Sequence, residues 1–122
     1  MNPRAHEDAA ALIPLKHSTY RALLALAEDE LHGYAIMQAV SDMTDGRETI
    51  LPGTLYAALA RMVDDGLIET LQGPADAGSG GPRRRYYRRT SFGRAVVRAE
   101  SERVRALLDI AQAQDIFSEE TK

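Results

Sequence analysis

Seven arginines crowd into the stretch from 83 to 98: Arg83, Arg84, Arg85, Arg88, Arg89, Arg94 and Arg98, with no acidic residue among them. A guanidinium is permanently charged and presents forked N–H donors that match phosphate oxygens, so this density points to a polyanion. The total charge is −3, and the acids collect elsewhere, at Glu28, Asp29, Glu30, Asp64, Asp65, Glu119 and Glu120. A basic stripe survives that balance because charges are screened within roughly 8–10 Å at physiological salt. The bland alternative is a solvated basic face.

Other reactive chemistry is sparse. His6, His17 and His32 have no ligand spacing, and His32, opening a helix, is expected to make a structural hydrogen bond. Cysteine is absent, which excludes disulfides and thiolate metal sites and fits a reducing compartment. No Ser-His-Asp order, phosphate loop or paired buried carboxylate stands out, so no enzymatic activity, cofactor or metal is expected. No window holds 18 uninterrupted apolar residues, and no basic region precedes an apolar run at the N-terminus. A cytoplasmic protein without membrane contact is the expectation.

The elements that would carry the arginines follow from periodicity. With 122 residues, 44% of them hydrophobic, the chain suits one compact domain plus one extended element, and a dimer interface would add buried surface. Residues 1–14 read as a flexible arm with room for one helical turn, and 118–122 as a tail. A first helix from Lys16 to Asp29 carries Tyr20, Leu23, Leu24 and Ala27 at three-four spacing, with Ser18 as N-cap. A second runs from about Gly33 to Met43 and stops at the Asp45-Gly46 turn.

A third begins near Pro52, tolerated at the first helical position, and ends at Gly66. Leu55, Leu59, Met62 and Leu67 face inward, which puts Thr54, Ala57, Ala58 and Arg61 on the outer side. Leu51, just before it, cannot cap. Ile68–Gln72 and Arg84–Arg89 read as two strands of a hairpin around the Gly/Pro-rich loop 73–82, with Tyr86 and Tyr87 on opposite faces. A small-faced helix beside a basic hairpin is the pattern of a winged helix.

Thr90 caps a last helix from Ser91 to about Ile116. Val97, Val104 and Ala111 recur at seven-residue spacing, Ser101 and Leu108 follow four residues after the first two, and Leu107 and Ile110 widen the stripe. Such a helix pairs with a second copy, the alternative being that it folds back on its own domain. The fold class is mainly α (α+β): a winged helix-turn-helix over residues 15–90 with a long C-terminal dimerisation helix over 91–117.

At this level of detail the chain resembles the PadR family of bacterial transcriptional regulators. LLALAEDELHGYAIMQAV, LPGTLYAALARMVDDGLIE and RRRYYRRTSFGRAVV carry the likeness, which spans about Leu15 to Ala111. HGY, then GTLY, then YY-x-x-T-x-x-G is specific in combination. The short length resembles the subgroup with a single C-terminal helix. Trp is absent, so the stacking with which some relatives clamp flat aromatic drugs is not available. The resemblance implies a dimeric DNA-binding regulator, a repressor relieved by a small-molecule effector between the long helices.

The resemblance places Thr54 and Tyr56 at the DNA surface. Thr54 offers a hydroxyl and a methyl for thymine, and the Tyr56 hydroxyl could reach a phosphate. The alternative for Tyr56 is a half-buried bridge from the third helix to the wing. Gly53 permits close approach and leaves helix-start N–H groups open to phosphate. Arg61 could reach phosphate or guanine, or pair with Asp65 at i,i+4. Arg83, Arg84 and Arg85 at the wing tip would enter the minor groove or hold its backbone. Lys16 and Tyr34 are further phosphate contacts, while Arg88 and Arg89 could instead neutralise acids within a dimer. Val97, Val104, Leu107, Leu108 and Ala111 are expected at the dimer interface and any effector cavity. The partner would be a palindromic double-stranded operator. The competing reading is a winged-helix protein-interaction module without sequence-specific DNA binding.

Overall fold

The computed structural model describes residues 8–27, 29–72 and 85–118. Helices α1 (His17–Ala25), α2 (Gly33–Met43) and α3 (Pro52–Asp64) surround a core of which Leu23, Ile36, Val40, Leu55, Leu59 and Met62 are fully buried. A three-stranded antiparallel sheet of β1 (Leu31–His32), β2 (Ile68–Gln72) and β3 (Arg85–Arg89), in the order β1-β3-β2, lies beside them. The long helix α4 (Ser91–Ala113) follows. The architecture is therefore the expected mainly helical winged helix with a long C-terminal helix.

Helix α1 starts before the expected cap: Lys16 is the extended N-cap residue and makes no side-chain bond, which leaves Ser18 inside the first turn. It also stops at Ala25 instead of reaching Asp29. The end has a non-local cause. The Arg89 guanidinium donates to the Leu23 carbonyl (3.4 Å) and to the Ala27 carbonyl, taking up acceptors that a further helical turn would have used. The chain is thereby released to form β1, which pairs Leu31 with Tyr87 and His32 with Tyr86.

His32 makes the structural hydrogen bond expected of it, its Nδ1 accepting the Ala35 N–H at 3.2 Å as the N-cap of α2. Helix α2 ends where Asp45 (φ 54°) and Gly46 (φ 78°) turn left-handed, and Gly46 donates to the Ser41 carbonyl at 2.8 Å. Helix α3 opens on Leu51 without a side-chain cap and with proline in its first turn. It closes with Gly66 (φ 76°) and a bond from the Leu67 N–H to the Met62 carbonyl at 2.9 Å, a Schellman closure. Ala58 is buried, correcting its expected place on the outer side: it lies three residues from Leu55 and turns with it into the core.

The segment expected to be a free arm is docked where it is described. Residues 8–11 are helical, Ala9 is buried, and Leu12 and Ile13 pack against the core. Glu100 on α4, only 2% exposed, anchors the chain just beyond, accepting the Leu15 N–H at 2.8 Å and the Arg103 guanidinium at 2.5 and 3.2 Å. The Arg103 hydrogen bond, helped by the Leu15 N–H, holds the Glu100 carboxyl below its ordinary value against the opposing effect of burial. A depressed carboxylate contributes stability that is present above the unfolded value, about 4.3, and is lost as pH falls through the folded one. Glu100→Gln should cost about 1–2 kcal/mol at neutral pH, from the lost charge-assisted bonds, and should flatten the fall in stability on acidification. Urea melts at neutral and acidic pH check this; parallel pH profiles for the two proteins would contradict it.

Helix α4 leads two lives. Its N-terminal half buries Gly93, Val96, Val97 and Glu100 against its own domain, and Ser101 Oγ lies 2.8 Å from the Tyr20 hydroxyl on α1. From Val104 onward the large apolar residues are exposed, so residues 104–113 extend past the domain by about 15 Å at 1.5 Å per residue. The helix ends at Ala113, three residues before the expected end at Ile116, and Asp115 takes a left-handed φ of 58° just beyond.

Candidate nucleic-acid interface

The exposed side of α3 runs through Gly53, Thr54, Tyr56, Ala57, Ala60, Arg61 and Asp64. Gly53 and Thr54 lie in the first turn, where backbone N–H groups have no carbonyl a turn earlier to bond. The partial positive charge of that helix end favours an anion. Small residues at 53, 57 and 60 leave the helix backbone approachable.

Tyr56 is about half exposed (49%), and its ring lies directly over Gly33. Among the described residues its hydroxyl has no hydrogen-bond partner. Two grooves flank it. One, of about 460 Å³, is lined by His32, Gly33, Tyr34, Arg85 and Tyr87 with Tyr56 itself. The other, of about 520 Å³, continues along α3 past Ala60, Val63 and Asp64 to Thr70 on β2, again with Arg85. Tyr34, Tyr56 and Arg85, named separately by sequence reasoning, are therefore neighbours. The Tyr56 ring bridges α3 to the β1–α2 junction, and its hydroxyl stays open among the described residues.

Lys16 and Arg61 form a separate group. They line a smaller cleft of about 180 Å³ with Leu12, Pro14, Leu15, Thr19 and Asp65. Arg61 lies about 140° around α3 from Tyr56, so this pair flanks the helix on the side away from Arg85. No ion pair joins Arg61 to Asp65 among the described residues.

The arginine stripe divides into parts with different duties. Arg83 and Arg84 lie outside the described residues, and Arg85 is exposed at the open end of β3. Arg88 pairs with Glu69 across the sheet and with Glu30 at 3.5 Å, and the Glu69 hydrogen bond raises its pKa above the ordinary arginine value. Arg89 serves the carbonyls at the end of α1. The expected neutralisation of acids thus occurs within the subunit for Arg88, while the Arg89 guanidinium donates to backbone carbonyls at the end of α1. Arg98 pairs with Glu102 at 3.0 Å along α4. Alternation along β3 explains the split: Tyr87 is buried in the core while Tyr86 turns to the other face and meets the His32 ring edge-on at 5.4 Å.

On the long helix, Val104, Leu107 and Leu108 are exposed and Ala111 is partly so. Val97 is 6% exposed and belongs to the core of its own domain, a correction to its place on the expected interface. At residue 97 the domain itself covers the apolar face of the helix. Sequence reasoning also missed Gly33 and Glu100. A glycine at a helix start and a glutamate on an otherwise apolar face were the available signals.

The family model described as Transcriptional regulator PadR-like family matches residues 22–99. The transcriptional regulator Rv3488 of Mycobacterium tuberculosis is 36% identical over 86 residues, covering 70% of this chain and 71% of its own. Among solved structures, a transcriptional regulator from Clostridium thermocellum superposes with a TM-score of 0.62 at 25% identity, covering 87% of this chain and 91% of that one. Bacillus subtilis PadR, solved in complex with operator DNA, shares the fold at a TM-score of 0.61 and 20% identity, over 70% of this chain and 47% of that one.

Proposed function

Because the chain belongs to the PadR-like family of transcriptional regulators, we propose that it is a homodimeric, sequence-specific DNA-binding protein. It represses transcription and is released by a small molecule entering between the distal halves of two α4 helices. The observation that carries the DNA reading is the joint exposure of the α3 N-terminus, the Tyr56 hydroxyl, which has no partner among the described residues, Tyr34 and Arg85 along one edge. The operator complex of Bacillus subtilis PadR supports it by likeness of fold.

In this reading the N-terminal half of α3 enters the major groove. Gly53 and Thr54 offer backbone N–H groups to phosphate, and the Thr54 methyl meets thymine. Tyr34 and Tyr56 donate hydroxyls to the backbone on the wing side, and Lys16 and Arg61 serve the other flank. Arg85, with Arg83 and Arg84, reaches the neighbouring minor groove. Asp64 repels phosphate at the far end of the helix and limits how deeply it lies. Base-edge contacts are few, so DNA shape carries part of the specificity. A two-fold axis through the α4 pair sets half-sites of a palindrome about one helical turn apart.

The test is a fluorescence anisotropy titration across salt concentrations. A dimer that neutralises about eight phosphates should give a log-log slope near −7 through counterion release. A slope flatter than about −2 would remove phosphate binding as the basis of function.

A further inference from the structure

Gly33 has no conformational reason to be glycine. It lies at the first position of α2, its φ is not in the left-handed region, and the cap is supplied by His32. Glycine is also a poor helix former. What the position requires is space. A Cβ there would lie 2.5 Å from the Tyr56 hydroxyl oxygen and 2.8 Å from ring atoms Cε1 and Cζ. All three belong to the outer end of a side chain, so a methyl group would displace the tyrosine and leave the backbone in place.

The seat is itself fixed to the wing. Residues 31 and 32 pair with Tyr87 and Tyr86 of β3, and the His32 ring stands at 85° to that of Tyr86. Arg85 leaves the same strand one residue earlier. A ring carried by α3 that rests on this junction holds the helix at one angle to the strand bearing Arg85, and it sets where the open hydroxyl points.

Building on the DNA reading above, we infer that Gly33 is a positioning residue for DNA binding. The absence of its side chain seats the Tyr56 ring, which fixes the phenol hydroxyl and the α3–wing angle at the phosphate-facing edge. Gly33 touches no DNA itself and acts through Tyr56.

The contact is to backbone phosphate, so a mixed-sequence duplex of about 30 base pairs at low salt suffices as the probe. Full-length wild type, Gly33→Ala, Tyr56→Phe, Tyr56→Ala and the Gly33→Ala/Tyr56→Ala double variant are compared by anisotropy and thermal melting. Tyr56→Phe keeps the ring and loses the donor, and should bind roughly tenfold more weakly with an unchanged melting temperature. Gly33→Ala should weaken binding by at least as much. In the Tyr56→Ala background, where the methyl has room, Gly33→Ala should change affinity by less than about twofold. Should Gly33→Ala melt well below wild type, the double variant must melt no lower than Tyr56→Ala alone. Equal binding by Gly33→Ala and wild type, or an equal loss in both backgrounds, overturns the inference and leaves the DNA reading standing. A wild type that ignores the duplex overturns both.

Discussion

Aspartate at both Leu107 and Leu108 is expected to convert the protein to monomers and to weaken operator binding by at least a hundredfold. These side chains are 54% and 44% exposed, and Val104 and Ile110 continue the apolar surface beside them. They project from a stretch of α4 in which no residue is buried by the subunit itself. A ten-residue helical extension is marginal alone in water, because nucleation is costly and packing supplies most helical stability. An apolar stripe on such an extension is best explained by a second copy laid along it. A carboxylate buried in that seam without a partner costs several kcal/mol, and each dimer would contain four. The winged domain should be untouched, since neither leucine enters its core. Without the dimer, the second half-site is no longer held at a high effective concentration, a loss of roughly 10²- to 10⁴-fold in avidity. Sedimentation and anisotropy read the two effects separately. A variant that stays dimeric, or a monomer that binds as tightly as wild type, would remove the α4 pairing from the account.

The difference between what periodicity predicted and what the chain does is one of range. Local signals sufficed for α3: Leu55, Leu59 and Met62 repeat at helical spacing, Pro52 opens the helix and Gly66 closes it. They failed at α1, whose end depends on Arg89, more than sixty positions away in sequence. They failed again at β1, two residues long and too short to show alternation. Charge density at 83–98 could not tell Arg85, which lines both surface grooves beside Tyr56, from Arg88. That difference depends on Glu30 and Glu69, which only the folded sheet brings near. Val97 and Val104 are indistinguishable as heptad positions. Their fates separate because the domain ends between them. The family motifs recover part of this missing range: the glycine of HGY and the tyrosine of GTLY are distant in sequence, yet one ring occupies the space the other residue leaves.

Gly93→Ala should be the most damaging single methyl in the described chain. A Cβ at Gly93 would fall 1.9 Å from the Leu67 carbonyl oxygen and 2.9 Å from its carbon. Unlike the Tyr56 ring over Gly33, this obstacle is backbone and cannot rotate away. The junction is also stapled. Thr90 Oγ1 accepts the Gly93 N–H at 2.9 Å and donates to the Gly66 carbonyl at 2.6 Å, while the Thr90 N–H reaches the Leu67 carbonyl at 3.1 Å. Restoring van der Waals distance would require α4 to retreat by more than about 1 Å, pulling on those bonds and on Val96 and Val97 in a core packed to crystal density. The expected cost is about 3 kcal/mol, at the upper end for overpacking. At roughly 4–8 °C per kcal/mol for a domain of this kind, the melting temperature should fall by about 12–24 °C. Gly53→Ala is the matched control, because a Cβ there meets nothing within 4 Å. That variant should melt within about 2 °C of wild type or slightly above it, alanine being the better helix former. If the two alanine variants melted together, close packing of the α4 start on Leu67 would not be what requires glycine in the T-x-x-G motif.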